Sequence, residues 1–194
     1  AVLDALPGAN CGGCGFPGCG GLASAIAQGK APVNACPVGG APVAAAISDI
    51  MGVEAAAGEK IVARVLCNGT KSNATDKSKY SGILDCKAAA MVSGGGPKSC
   101  EYGCMGFGTC ENVCPFDAIH IINGIAKVDQ EKCKSCGKCV AECPKHLIEI
   151  IPYGQHQVGC SSKEKGKEVM GACKVGCIGC KKCEKTCPNG AITV

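Results

Sequence analysis

The sequence predicts a small α+β fold assembled from short units in a row, and three observations carry that expectation. Cysteine makes up 20 of the 194 residues. A cysteine motif that ends in Cys-Pro and runs into a β-like stretch occurs three times between Cys100 and Val194. Bulky side chains are scarce, with three Phe, three Tyr and no Trp against 29 Gly and 10 Pro. A chain so poor in large apolar groups gains too little from burial to hold a large core. Bonds to metal can replace that core, because forming the site and folding the chain are then one event.

High cysteine content fits either a disulfide scaffold in an oxidising compartment or thiolate ligands in a reducing one, so spacing has to decide. Cys133-x2-Cys136-x2-Cys139-x3-Cys143-Pro144 and Cys177-x2-Cys180-x2-Cys183-x3-Cys187-Pro188 both follow the run by which bacterial ferredoxins hold 4Fe-4S clusters. In that run three cysteines wrap one cluster and the fourth reaches to a neighbouring one. Spacing therefore selects metal, and at four thiols per site the chain is expected to hold about five 4Fe-4S clusters.

Taken in order, the first unit covers residues 1–57 and contains Cys11-x2-Cys14-x4-Cys19-x16-Cys36, with glycines between the ligands that let the backbone close around a cluster. The x4 gap and the remote fourth cysteine fit a zinc ribbon poorly. Leu22 to Gln28 reads as a short helix stopped by Gly29, and Ala41 to Ala57 as an Ala-rich helical connector. The second unit, residues 58–159, pairs a degenerate with a regular ferredoxin-like motif. It opens with a strand from Glu59 to Leu66 that leads into Cys67. Its first motif, Cys100-x3-Cys104-x5-Cys110-x3-Cys114-Pro115, carries Phe107 where the regular motif has its second cysteine. Asn123-Gly124, between Ile119–Ile122 and Ile125–Val128, predicts a two-residue hairpin. Leu147–Ile151 and His156–Val158, about Pro152 and Gly154, predict a second one. The third unit, residues 160–194, is a further ferredoxin-like motif with no returning strand after Ala191–Val194.

Aligning the variant motif on the third matches Cys104 to Cys177, Cys110 to Cys183, Cys114 to Cys187 and Cys100 to Cys173, with Cys67 upstream matching Cys160. Two degenerate copies of six cysteines flank a regular copy of four. Ligand exchange between neighbours then predicts one cluster on Cys114, Cys133, Cys136 and Cys139. A second uses Cys104, Cys110 and Cys143, completed by either Cys100 or Cys86. A third uses Cys177, Cys180 and Cys183 with a fourth ligand that spacing leaves open, and Cys187 is free to serve another site. Cys67, Cys86, Cys160 and Cys173 remain, either as an extra metal cluster joining the two copies or as buried free thiols.

Other chemistry is not indicated. No nucleophile–base pair or dinucleotide fingerprint is visible, and Gly94-Gly95-Gly96-Pro97-Lys98-Ser99 lacks the glycine spacing of a phosphate loop and reads as a turn. His120, His146 and His156 have no paired spacing and read as surface or strand residues. The formal charge of +4 counts thiols as neutral; five clusters at about −2 each bring the loaded chain to about −6. With one Arg and few aromatics, the chain offers nucleic acid neither a phosphate grip nor a stacking surface. The longest apolar stretch, Ala41–Ile50, is too short to cross a bilayer.

Cys11-Gly12-Gly13-Cys14-Gly15-Phe16-Pro17-Gly18-Cys19, Asp85-Cys86-Lys87-Ala88-Ala89, Cys100-Glu101-Tyr102-Gly103-Cys104 and the two regular motifs together resemble the RnfB family. These are the iron–sulfur subunits of Rnf respiratory complexes, here in the clostridial-type form, and the likeness extends over nearly the whole chain. It implies membership of a prokaryotic membrane complex that oxidises reduced ferredoxin, reduces NAD and pumps sodium ions or protons. The chain would relay electrons at the cytoplasmic face of the cell membrane, from ferredoxin to other Rnf subunits, with no substrate-converting site of its own. The resemblance also implies a transmembrane helix before Ala1 and further ferredoxin motifs after Val194. Lys134, Lys138, Lys181 and Lys182 lie among the ligands, where their charge would raise cluster potentials or meet an acidic ferredoxin. The competing reading of the same motifs is a soluble polyferredoxin or the electron-input subunit of a soluble redox enzyme.

Overall fold

Apolar stretches this short, broken this often by glycine, support only short elements. The computed structural model, which describes residues 1–54 and 59–193, is built from such elements. In the first unit, α1 (Val2–Ala5), α2 (Cys19–Ala27) and α3 (Gly40–Met51) enclose a core in which Leu22, Ile26 and Ile47 are fully buried. Helix α2 starts at Cys19, earlier than the expected Leu22, because the Cys19 amide donates to the Asn10 side-chain oxygen at 2.8 Å. That partner stands nine residues upstream, where no local capping pattern reveals it. The helix stops as expected at Gly29, whose amide donates to Ile26 O while Lys30 donates to Ala25 O, so that two end carbonyls are satisfied. Helix α3 ends in the left-handed Gly52 (φ 66°), short of the expected Ala57; positions 55–58 lie outside the described residues.

The rest of the chain carries β1 (Ile61–Val65), α4 (Cys86–Met91), α5 (Thr109–Asn112), β2 (Ile119–Ile122), β3 (Ile125–Val128), α6 (Lys138–Glu142), β4 (Ile148–Pro152), α7 (Lys167–Ala172) and α8 (Lys182–Thr186). Strands β2 and β3 form the expected hairpin, with Asn123 (φ 49°) and Gly124 (φ 76°) both left-handed as a tight hairpin turn requires.

The second expected hairpin is not formed. Strand β4 pairs antiparallel with β1, from Ile61 opposite Pro152 to Val65 opposite Ile148. This pairing buries Val62 and Ile151 on one face and Ala63 and Ile148 on the other, whereas the candidate return strand offers only exposed Val158 among polar residues. The strand before the first motif thus closes on the strand after the second. Beyond Cys187 the described residues add no strand.

Residues 160–193 attach to the segment after β1. Cys67 bridges Cys160 and Ala74 bridges Cys173 in antiparallel fashion, and Thr75 and Lys174 donate backbone bonds to Ala172 O and Asn73 O. The main core mixes thiols with aliphatics, since Cys67, Cys104, Cys110 and Cys139 are buried with Ile119, Ile125, Leu147 and Ile148.

Candidate metal centres

The Cys-Pro punctuation has a structural cause. In each copy the residue three after the cysteine takes a left-handed conformation: Asp117 (φ 50°), His146 (φ 50°) and Gly190 (φ 59°). The turn aims the next amide back at the sulfur. Ala118 N donates to Cys114 Sγ and Leu147 N to Cys143 Sγ, both at 3.4 Å. The Ala191 amide, with that of Asn189, likewise holds the Cys187 thiol below its ordinary range. Amides placed this way favour the thiolate, which is the form that binds metal.

The ligand loops share a second signature. Gly106 and Gly108, Ser135 and Gly137, and Gly179 and Lys181 are all left-handed, at matching places in the three motifs. The backbone therefore puts Phe107 in the position of Cys136 and Cys180, as the alignment expects. Phe107 turns to Tyr80 instead, with ring centroids 5.1 Å apart.

Four cavities are each lined by four cysteines. The first is lined by Cys11, Cys14, Cys19 and Cys36. The second gathers Cys114, Cys133, Cys136 and Cys139, and Ala63 N from β1 donates to Cys133 Sγ at 3.3 Å. The third gathers Cys86, Cys104, Cys110 and Cys143, with Ala126 N donating to Cys104 Sγ at 3.4 Å. The fourth gathers Cys67, Cys100, Cys160 and Cys173.

The alternative that spacing left open, Cys86 or Cys100, is thereby separated. Cys86 comes to the third cavity, and Cys100 joins Cys67, Cys160 and Cys173 in the fourth; the set Cys67, Cys86, Cys160, Cys173 is not brought together. A latch puts Cys86 where it is. Its amide donates to Thr109 Oγ1 at 2.7 Å, the Thr109 hydroxyl donates to Asp85 Oδ2 at 2.7 Å, and Asp85 Oδ1 caps α4 at Ala88 N. Thr109 neighbours Cys110, so the latch sets Cys86 beside the loop that lacks a cysteine at Phe107. The Asp85-to-Thr109 spacing of 24 residues carries no sequence signal that could have revealed it.

The fourth cavity is built by the two degenerate copies in the same way. Cys104 N donates to Cys67 Sγ at 3.4 Å, and the matching Cys177 N donates to Cys160 Sγ at 3.3 Å. Gly103 N bonds Cys100 O just as Gly176 N bonds Cys173 O. Cys177, Cys180, Cys183 and Cys187 lie around α8 at the end of the chain, with Cys180 and Cys183 exposed.

Each cavity presents four thiols around a shared space, the donor set by which a 4Fe-4S cluster is held. Burial, with repulsion from neighbouring thiols, pushes Cys110 and Cys139 up to about 12. Such thiols stay neutral near pH 7 until a cationic group enters. His120 faces Glu111 and Asp117 at the surface, and no cysteine cavity is lined by His120, His146 or His156.

The sites also stand in a sequence. A methyl group on Gly13 would lie 2.8 Å from the Cys136 Cα, so the first unit touches the second site backbone to backbone. Second and third exchange ligands across motifs, third and fourth meet at the Cys104–Cys67 bond, and the fourth meets the last motif at the Cys177–Cys160 bond.

Comparison with known proteins finds iron–sulfur matches along the chain. Residues 6–38 match the FeS family of Fe-S cluster modules, residues 97–154 the LdpA Fe-S cluster-binding domain, and residues 176–193 the 4Fe-4S binding domain. The RnfB component of the Na(+)-translocating ferredoxin:NAD(+) oxidoreductase complex of Acetobacterium woodii is 53% identical over 91% of this chain and 53% of its own length. Its counterpart in the ion-translocating oxidoreductase complex of Methanosarcina acetivorans is 46% identical, over 100% of this chain and 74% of its own. The chain belongs to the RnfB family. A third member, from the proton-translocating ferredoxin:NAD(+) oxidoreductase complex of Clostridium ljungdahlii, is 45% identical over 100% of this chain and 69% of its own. The chain thus spans between about half and three quarters of the length of these RnfB relatives. It shares with them the character of an iron–sulfur component of an oxidoreductase complex. No helix among the described residues is long and apolar enough to cross a membrane.

Proposed function

We propose that this chain relays single electrons through about five 4Fe-4S clusters, accepting them from reduced ferredoxin and passing them into a membrane-bound, ion-pumping complex that reduces NAD. The observation that carries the proposal is the unbroken succession of four-cysteine cavities from Cys11 to Cys173, ending beside the exposed Cys177–Cys187 motif. Cys11, Cys14, Cys19 and Cys36 would hold the first cluster, Cys114, Cys133, Cys136 and Cys139 the second, and Cys86, Cys104, Cys110 and Cys143 the third. Cys67, Cys100, Cys160 and Cys173 would hold the fourth, and Cys177, Cys180 and Cys183 would supply three ligands of the last, with Cys187 free to serve another site. Each cluster supplies one-electron chemistry, at a potential between roughly −700 and +450 mV set by its surroundings. The protein contributes amides to the sulfurs, apolar walls that exclude water, and fixed separations. The relay works at the cytoplasmic face of the membrane, with the other Rnf subunits carrying the ion pump. Anaerobic analysis should find iron and acid-labile sulfide at about four of each per site; zinc in their place, without sulfide, would end the proposal.

Charge distribution favours the last motif as the docking point for ferredoxin. After position 159 the sequence has seven Lys and three Glu, so this segment carries the entire formal excess of +4. Lys181 and Lys182 stand next to the exposed Cys180 and Cys183, and Lys181 is only loosely paired with Glu184 at 3.7 Å. Converting both lysines to Gln should slow oxidation of ferredoxin severalfold at about 10 mM salt and little at about 1 M, where the screening length is near 3 Å. Stopped-flow traces at the two ionic strengths check this; equal rates for variant and parent at low salt would remove the docking site.

The contact at Gly13 gives a second expectation. Gly13→Val must push the Cys11–Cys14 loop away from Cys136, at a packing cost of about 1–3 kcal/mol. Displacement of that size should slow exchange between the first two sites on the order of tenfold while leaving both loaded. Freeze-quench spectroscopy of partly reduced protein measures that exchange.

A further inference from the structure

The glycine-rich segment that reads as a turn holds a buried lysine. Gly94 (φ 87°), Gly95 (φ 67°) and Gly96 (φ 114°) turn the chain so that Pro97–Ser99 lies against Thr75–Ser78. Lys77 N donates to Pro97 O, Ser99 N donates to Thr75 O, and Asp76 and Lys98 pair as a bridge. The backbone of Lys98 is therefore pinned from both sides. Its side chain runs inward and is 7% exposed.

The ammonium donates to Gly69 O at 2.6 Å and Gly124 O at 3.3 Å. Both carbonyls belong to backbone that supports thiols. A methyl group on Gly69 would lie 3.5 Å from both Cys67 Sγ and Cys173 Sγ, and Lys98 itself lines the cavity of Cys67, Cys100, Cys160 and Cys173. Gly124 is the hairpin tip that presses on Gly106, within the Cys104–Cys110 loop of the third cavity.

Among the described residues Lys98 forms no ion pair; Asp76 across the bridge is exposed, and the nearby Glu101 pairs with Lys77 instead. A buried charge without a counterion costs several kcal/mol. Among the described residues, the negative charge brought near it comes from the thiols of the fourth cavity and Cys104 of the third, with the anionic groups they would hold, and from Glu164, which also lines the fourth cavity. We propose that Lys98 is the internal counterion of the fourth site, and that it raises the potential there. Adding one electron makes an anionic site more negative, and a fixed cation beside it stabilises the reduced state more than the oxidised one.

The inference rests on the iron–sulfur reading of the cavities, and the test keeps the two apart. The chain is loaded anaerobically, assayed for iron and sulfide, and titrated potentiometrically with paramagnetic detection; Cys160→Ser identifies the component that belongs to the fourth site. Lys98→Met removes the charge, Lys98→Gln removes it but keeps an amide donor, and Lys98→Arg keeps it. In the two neutral variants, at the parent midpoint, the reduced-to-oxidised ratio of that component should fall about tenfold, equivalent to a shift of about 59 mV to more negative potential. Lys98→Arg should stay near the parent value, and the first and second sites should not move. Parent potentials in a loaded Lys98→Gln variant would overturn the proposal, and so would loss of the fourth cluster from both neutral variants, which would make Lys98 a prop for Gly69 and Gly124. Absence of iron and sulfide from the parent chain would instead strike the iron–sulfur reading itself.

Discussion

Removal of iron by an anaerobic chelator is expected to abolish most of the ordered structure between residues 61 and 193. Of the ten residues buried in that core, four are cysteines and two are alanines, leaving Ile119, Ile125, Leu147 and Ile148 as its aliphatic bulk. Burial on this scale does not offset the entropy of ordering such a length of chain. The first unit should retain more helix, because Leu6, Leu22, Ile26 and Ile47 pack together independently of the thiols. The thiols also set the sign of the pH dependence. Cys110 and Cys139 are raised from 9.0 to about 12, above their unfolded range. Neutral thiols therefore contribute stability to any residual metal-free fold that is complete below about pH 9 and lost between about pH 9 and 12. Iron binding has the opposite slope, since protons compete with it for the same sulfurs. Circular dichroism and hydrogen exchange check both expectations; strong protection persisting in β1 and β4 after complete iron loss would refute the first.

Cys86→Ala should leave the third site with Cys104, Cys110 and Cys143 alone. Iron content should fall by about one atom per chain, and a three-iron signal should appear in the oxidised protein. Phe107→Cys in the same background should restore the fourth iron, because Gly106 and Gly108 hold Phe107 in the backbone conformation that Ser135 and Gly137 give to Cys136. The cost of losing the Tyr80–Phe107 ring contact is about 0.5–1.5 kcal/mol, small beside a metal–thiolate bond. Should Cys86→Ala leave both iron count and spectrum unchanged, Cys86 is not a ligand. Asp85→Asn offers a milder probe of the same assignment, since it weakens the hydrogen bond from Thr109 without touching sulfur.

What the sequence makes legible is whatever a local run of residues determines. The β2–β3 turn follows from Asn123-Gly124, the end of α2 from Gly29, and the meeting of Cys114 with Cys133, Cys136 and Cys139 from the ferredoxin spacing. The features that escape it are long-range. Strand β4 reads as half of a local hairpin because β1, its actual partner, lies more than eighty residues upstream. Cys86 and Cys100 look equivalent by spacing, because what separates them is the Asp85–Thr109 latch, and neither residue type advertises such a contact at a distance. Lys98 is hidden for a similar reason. Its segment invites only a phosphate-loop test, while its burial follows from the pairing of Pro97–Ser99 with Thr75–Ser78.

The fourth cavity takes Cys67 and Cys100 from one copy and Cys160 and Cys173 from the other. During synthesis the first pair leaves the ribosome long before the second, so this site stays open until nearly the whole described chain has emerged. The first three cavities need no cysteine beyond Cys143. Of the four cavities this is thus the last to be completed, and a polypeptide cut short before Cys173 carries an unfinished site.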